Sequence, residues 1–199
     1  MTSEITCYVI FYLEVSYENC NYWCNRYGWN STLQRKYITW TRGYSNCCFD
    51  VIVNAFATTP DKAYLHLDLA AKLVSFFRET TKPRLFFILG AASLLDESDK
   101  LFLETLKTLP DVASWISIPT EAYKTLNFLR GIENVNWVGV SPSADFIAGE
   151  ATVPVVGKDH LLISSNGKSV VTSGTMAVAI LNEIEKPQFI NTRFTVGNQ

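Results

Sequence analysis

The chain has 199 residues and a mass of 22.4 kDa, with 48% hydrophobic residues, 18% charged residues and a formal net charge of −2. That is enough apolar chain for one sizeable core, while 17 basic and 19 acidic residues in no block of either sign give no electrostatic footprint for nucleic acid or an anionic membrane. The longest apolar stretch near the start, Cys7 to Leu13, is too short to span a bilayer and lacks a basic flank, so the expectation is a cytoplasmic globular protein with neither a membrane segment nor an ordinary signal peptide.

The first 48 residues differ from the rest. They hold all five cysteines (Cys7, Cys20, Cys24, Cys47, Cys48) and three of the five tryptophans (Trp23, Trp29, Trp40), and neither a helical nor a strand period lasts there. A disulfide framework would need an oxidising compartment and normally an even count. A zinc site would want paired Cys-x-x-Cys spacings, whereas Cys20 and Cys24 are four apart, Cys47 and Cys48 are adjacent, and no histidine is near. Asn30-Ser31-Thr32 matches a glycosylation acceptor that has no meaning without a secretory route.

A third interpretation follows from the genetic code. Read one base later, Trp23-Cys24, Trp29-Asn30 and Trp40-Thr41 must each yield glycine, because tryptophan has a single codon. With permitted third bases, Tyr17 to Trp29 becomes MKIVIIGATGMAG and Ile38 to Cys47 becomes LRGHEVTAIV. This is a strand, a G-x-x-G-x-x-G loop whose outer glycines are forced, and a second strand. Such a loop lets backbone N–H groups approach a pyrophosphate at a helix N-terminus. The hypothesis is that residues 17 to 48 are an out-of-frame dinucleotide-binding start and residues 1 to 16 are upstream sequence. The chain then divides into an aberrant segment, 1–48, and an α/β domain, 49–199.

From Phe49 onward, strands and amphipathic helices alternate. Val51 to Ala55 is an apolar, β-branched run that predicts a parallel strand buried on both faces. Pro60-Asp61 opens a predicted helix with Leu65, Leu69, Leu73 and Phe76/Phe77 on one side, ended by Thr80 to Pro83. Arg84 to Leu89 is the next predicted strand, followed by a helix around Asp99 to Leu109 and another from Thr120 to Leu129 with Gly131 past its end. Val135 to Val140 predicts a third strand. Ser164 to Gly167, between His160–Ile163 and Ser169–Thr172, carries a hairpin signal. A helix over Thr175 to Glu185 and a strand over Arg193 to Val196 complete the chain. The pattern predicts an α/β fold: a mostly parallel sheet with helices on both faces.

The stretches FDVIVNAFA, YLHLDLAAKLV, FILGAASLL, NVNWVGVSPSADF, VVGKDHLLISSNGKSVVTSGTMAVAILNEIEKP and RFTV make residues 49–199 resemble the atypical short-chain dehydrogenase/reductase proteins of the NADH-flavin reductase and NmrA-like NAD(P)H-binding type. The resemblance implies a Rossmann-like sheet with NAD(P)H across the carboxyl ends of its strands, and FMN, FAD or another flat molecule as acceptor. Two departures stand out: the chain as written has no glycine-rich loop, and no residues remain for the strand and helix that the family places before FDVIVNA. The N-terminal strands are therefore expected to be incomplete or aberrant, with an uncovered sheet edge that favours self-association into a homo-oligomer and with impaired cofactor affinity.

The resemblance and the strand ends together nominate the site. Asn54, Ala55, Phe56, Ala57, Gly90 and Ala91 would contact cofactor through strand-end backbone, and Ser141, Pro142 and Ser143 would line the same crevice. Ser93 is the candidate catalytic residue, a helix cap being its other interpretation. Tyr123 and Lys158 are candidate substrate contacts, Lys158 also reading as a solvated charge. Tyr123 is followed at the fourth place by Asn127, so the Tyr-x-x-x-Lys pair that protonates carbonyls in classical short-chain dehydrogenases is absent. Flavin reduction needs less, because hydride passes between two rings that the protein only has to position. His66 lies within an amphipathic helix and is read as structural. No metal is expected. The function classes left are an NAD(P)H-dependent reductase of a small flat acceptor, a non-catalytic NAD(P)H-sensing regulator of NmrA type, and an inactive product of a damaged gene.

Overall fold

The computed structural model of the chain describes residues 7–10 and 50–199. The shifted-frame segment 17–48, with Cys20, Cys24, Cys47, Cys48 and the Asn30 acceptor, lies outside the described residues.

The first strand, β1 (Cys7–Ile10), lies parallel to β2 (Val51–Asn54) with Cys7 opposite Val51. It was not expected from the sequence: the edge of β2 predicted to be open is paired over these four residues, because an apolar run can satisfy an exposed ladder wherever it comes from. The helix α1 (Leu65–Phe76) crosses to β3 (Thr80–Ile88), which begins four residues before the predicted Arg84. Thr80 to Pro83, expected only to stop a helix, is already strand, and the register against the next strand shifts between Thr80 and Leu85, around the proline that has no N–H to give.

The short α2 (Phe102–Lys107) is trimmed from the predicted Asp99–Leu109. The Asp96 carboxylate accepts the N–H groups of Ser98 and Lys100 at 2.8 and 3.0 Å, a local turn that competes with helix. In contrast α3 (Ser117–Arg130) starts earlier than Thr120, because Pro119 sits in its first turn, where a missing N–H costs nothing. Gly131 follows α3 with φ −88°, a conformation open to any residue.

The remaining elements are β4 (Val135–Pro142), β5 (Asp145–Ile147), β6 (Pro154–Gly157), β7 (Val170–Thr172), α4 (Ser173–Glu185) and β8 (Thr192–Asn198). The main sheet has the order β1-β2-β3-β4-β8-β6, with all neighbours parallel except β8 and β6. The predicted hairpin at Ser164 to Gly167 is corrected. The turn forms, with Gly167 at φ 77° and its N–H donating to the Ser164 carbonyl, but its arms do not pair. Instead β7 runs parallel to β5 in a separate small sheet, and His160 bridges to Leu95. A turn residue fixes a local reversal; partners are chosen by tertiary packing.

Helices cover both faces, as predicted. On one face Val51, Val53, Phe86, Val138, Val140, Phe194 and Val196 pack against Met176, Ala179 and Ile180 of α4. On the other, Ile52, Leu85, Phe87 and Trp137 meet Ala70, Leu73 and Val74 of α1 and Leu126 and Leu129 of α3. Alternation along each strand divides the two sets, and each large side chain removed from water contributes about 1.5–3 kcal/mol. The Thr172 hydroxyl caps α4 by accepting the Thr175 N–H at 3.2 Å. Among the described residues no helix is long and apolar enough to cross a membrane.

Candidate functional site

The carboxyl ends of β2, β3 and β4 open into one cleft of about 420 Å3, within the size range of small-molecule sites. Asn54, Ala55, Phe56, Ala57 and Thr58 form the rim beyond β2, Leu89 and Gly90 that beyond β3, and Pro142 that of β4. Helices from opposite faces wall it: His66 from α1, Ile118, Pro119, Ala122 and Thr125 from α3, and Ser173, Met176 and Ile180 from α4. No charged side chain is among these residues. The Asn54 amide oxygen accepts the Phe56 N–H at 3.2 Å and so fixes the turn out of β2.

Of the residues nominated from sequence, the structure brings Asn54, Ala55, Phe56, Ala57, Gly90 and Pro142 together on the cleft wall. Ala91 lies one residue further on, in a single 3-10 turn, Ala91–Ser93. Ser93 and Ser141 instead converge on a buried arginine. Arg193 donates from Nη1 to the hydroxyls of Ser93 (3.2 Å) and Ser141 (3.1 Å), and from Nη2 to Asp159 Oδ1 (2.6 Å), which also takes Arg130 at 3.2 Å. The Asp159 carbonyl accepts the Leu95 N–H, so this polar knot ties the segment after β3 to the sheet. Burial works to raise the Asp159 pKa, but the bond and charge of Arg193, helped by Arg130 and His160, hold it below the ordinary carboxylate value. Ser143 donates its hydroxyl to the Val196 carbonyl at 3.0 Å. Tyr123 is half-buried on α3 away from the cleft wall, and Lys158 is exposed, its carbonyl accepting the Thr195 hydroxyl at 2.6 Å. Among the described residues no cluster of three His, Cys, Asp or Glu side chains could hold a metal.

No protein-family model matches the chain. Over 154 residues, 76% of this chain and 71% of the other, it is 31% identical to the Bacillus subtilis protein YwnB. The chain belongs to the YwnB family. Several solved structures are similar to this YwnB-family chain, among them the following two. A Lactobacillus casei protein is 37% identical with a TM-score of 0.69, over 76% of this chain and 71% of that one. A Streptococcus pneumoniae protein described as "a putative NADH-flavin reductase" is 27% identical with a TM-score of 0.70, over 77% of this chain and 73% of that one. The fold is thus a Rossmann-like α/β sheet, in which ligands sit beyond the carboxyl ends of the strands.

One residue on the cleft of this YwnB-family chain, His66, was read from the sequence as structural. His66 packs edge-on against Phe56, with ring centroids 5.0 Å apart, and its Nε2 is buried without a hydrogen-bond partner. Burial lowers its pKa, opposed in part by the Glu121 carboxylate on α3. Its position within the predicted helix was legible, but the face it presents and the strand end it meets depend on how α1 docks.

Proposed function

We propose that this chain is built as an NAD(P)H-dependent reductase that transfers hydride to a flat acceptor, a flavin or a quinone. The observation that carries this is the cleft itself: at the strand ends of a Rossmann-like sheet, its described wall is mostly apolar and carries no charged side chain, and His66 Nε2 is buried there without a partner. Similarity to the Streptococcus pneumoniae protein supports the same reading. The slot fits planar rings, the nicotinamide end of the cofactor and the acceptor, better than it fits a charged substrate. Bound there, a reduced nicotinamide supplies the hydride. The protein's part is to hold the rings by the backbone of Asn54 to Ala57 and Gly90 and to exclude water with Phe56, Leu89, Ile118 and Met176.

The described cleft wall has no lysine or arginine for a pyrophosphate. In such folds the pyrophosphate is held by backbone N–H groups of a glycine-rich loop, and the proposal includes the loss of that loop when residues 17–48 came to be read out of frame, with weak cofactor binding by the chain as written. The test is titration with NADPH and NADH, followed by nicotinamide fluorescence, beside a version in which residues 17–48 carry the shifted-frame sequence. The repaired chain binds at least tenfold more tightly if the proposal holds; equal binding by both rejects the frame hypothesis, and binding by neither rejects the cofactor assignment. Oxidation of NADH on adding FMN then separates a reductase from a regulator that senses cofactor without turning it over.

A further inference from the structure

Three polar side chains of the described cleft wall are engaged with the protein. Asn54 Oδ1 accepts the Phe56 N–H, Thr125 donates to the Glu121 carbonyl at 2.8 Å, and Ser173 Oγ accepts the Gly149 N–H at 3.3 Å. His66, which lines the cleft, differs from these: its Nε2 is buried and has no hydrogen-bond partner among the described residues. A buried polar atom left unpaired costs about 1–3 kcal/mol and is rare unless something binds it. The outer torsion of a histidine is broad, so rotation about it can change which edge of the ring faces the cleft. Of the charged groups, Glu121 faces the ring from α3, but its carboxylate is engaged by Lys124 at 2.6 Å and has no hydrogen bond to the histidine.

We infer that His66 is the residue that selects the acceptor: its Nε2–H donates a hydrogen bond to a ring carbonyl of a flavin or quinone whose flat body lies against the apolar wall beside Phe56. This rests on the reductase reading above and adds the polar contact that orients the ring. A neutral imidazole suits the role, since it can donate to a carbonyl without placing a charge in an uncharged slot.

The test uses the full chain with residues 17–48 repaired, and compares the wild-type His66, His66→Gln and His66→Leu for binding of FMN and of menadione, by flavin fluorescence and by quenching of protein fluorescence. His66→Leu is expected to bind both acceptors 5- to 100-fold more weakly, and His66→Gln, which keeps an N–H donor, within about threefold of wild type; NADPH affinity falls less than acceptor affinity in His66→Leu. With only two histidines in the chain, the imidazole nitrogen resonances of His66 can be assigned from the variants, and the Nε2 signal should move on adding FMN. Equal acceptor binding by His66→Leu, or loss of NADPH affinity alone, overturns the role of His66 while leaving the reductase reading intact. Failure of the wild-type chain to bind either acceptor while it binds NADPH overturns both. A misfolded His66→Leu leaves the nitrogen signal and His66→Gln to decide.

Discussion

At the scale of single residues, burial without a partner makes His66 a sensor of proton concentration as well as a ligand contact. Its folded pKa lies below the ordinary value near 6.5 because burial disfavours the imidazolium, Glu121 offsetting only part of this. The unfolded chain therefore binds a proton at a pH where the folded chain does not. The resulting stability is fully present above about pH 6.5 and is lost as pH falls from there toward the folded value. Urea unfolding between pH 7.5 and 5 should show a falling free energy of unfolding in the wild type and a shallower dependence in His66→Gln; parallel curves would mean that the imidazole is not shielded. Gly174 makes a different demand. A Cβ there would lie 2.4 Å from the Ala151 nitrogen and 2.7 Å from the Glu150 carbonyl carbon, both backbone atoms that cannot swing away. Gly174→Ala should cost about 1–3 kcal/mol, read as a lower urea midpoint with unchanged slope.

Among elements, the contact that seats α4 on the sheet is an ion pair rather than a purely apolar seam. Arg84, in β3, donates to the Glu183 carboxylate, to the Glu183 carbonyl at 2.9 Å and to the Phe189 carbonyl, while its guanidinium lies 4.9 Å from the centre of the Phe86 ring. The two side chains are 10% and 4% exposed, so removing one partner strands a buried charge. Arg84→Met should destabilise by about 3–5 kcal/mol. Adding Glu183→Leu to that variant should recover only part of the loss, because the Glu183 carboxylate also accepts the N–H groups of Gln188 and Phe189 at 3.0 Å. Full recovery in thermal unfolding would show that those backbone bonds contribute little. The strands β2, β3 and β4 were legible from largely apolar runs and β8 from the alternation Arg193-Phe194-Thr195-Val196, both local signals. The short strands β5 and β6 were not, since three or four largely exposed residues carry no period, and β7 was read as a hairpin arm at Ser169–Thr172 but with the wrong partner.

For the whole molecule, the decisive question is whether the sheet can bind a dinucleotide with the N-terminal segment it has. The described cleft wall carries no lysine or arginine, and the proposal puts the phosphate contacts in the lost loop, so the repaired chain should gain cofactor affinity without any change in residues 50–199. If it does, thermal unfolding of the repaired chain should also shift upward with NADPH concentration, because a ligand bound only by the folded state stabilises it by mass action. A chain as written whose unfolding temperature rises equally with NADPH would place the phosphate contacts elsewhere.

Taken by itself, the sequence determined the class of fold, the parallel strands and the crevice at their carboxyl ends, because strand and helix periods are local and the position of ligands on such sheets follows from topology. It also placed Asn54 to Ala57, Gly90 and Pro142 at that crevice. Tertiary structure alone decided which side chains are engaged there. Ser93 and Ser141 lie 100 and 52 residues from Arg193, and no spacing rule could announce that the three converge. The state of His66 was equally hidden: whether a buried nitrogen finds a partner depends on every group packed around it, and that is a property of the assembled fold.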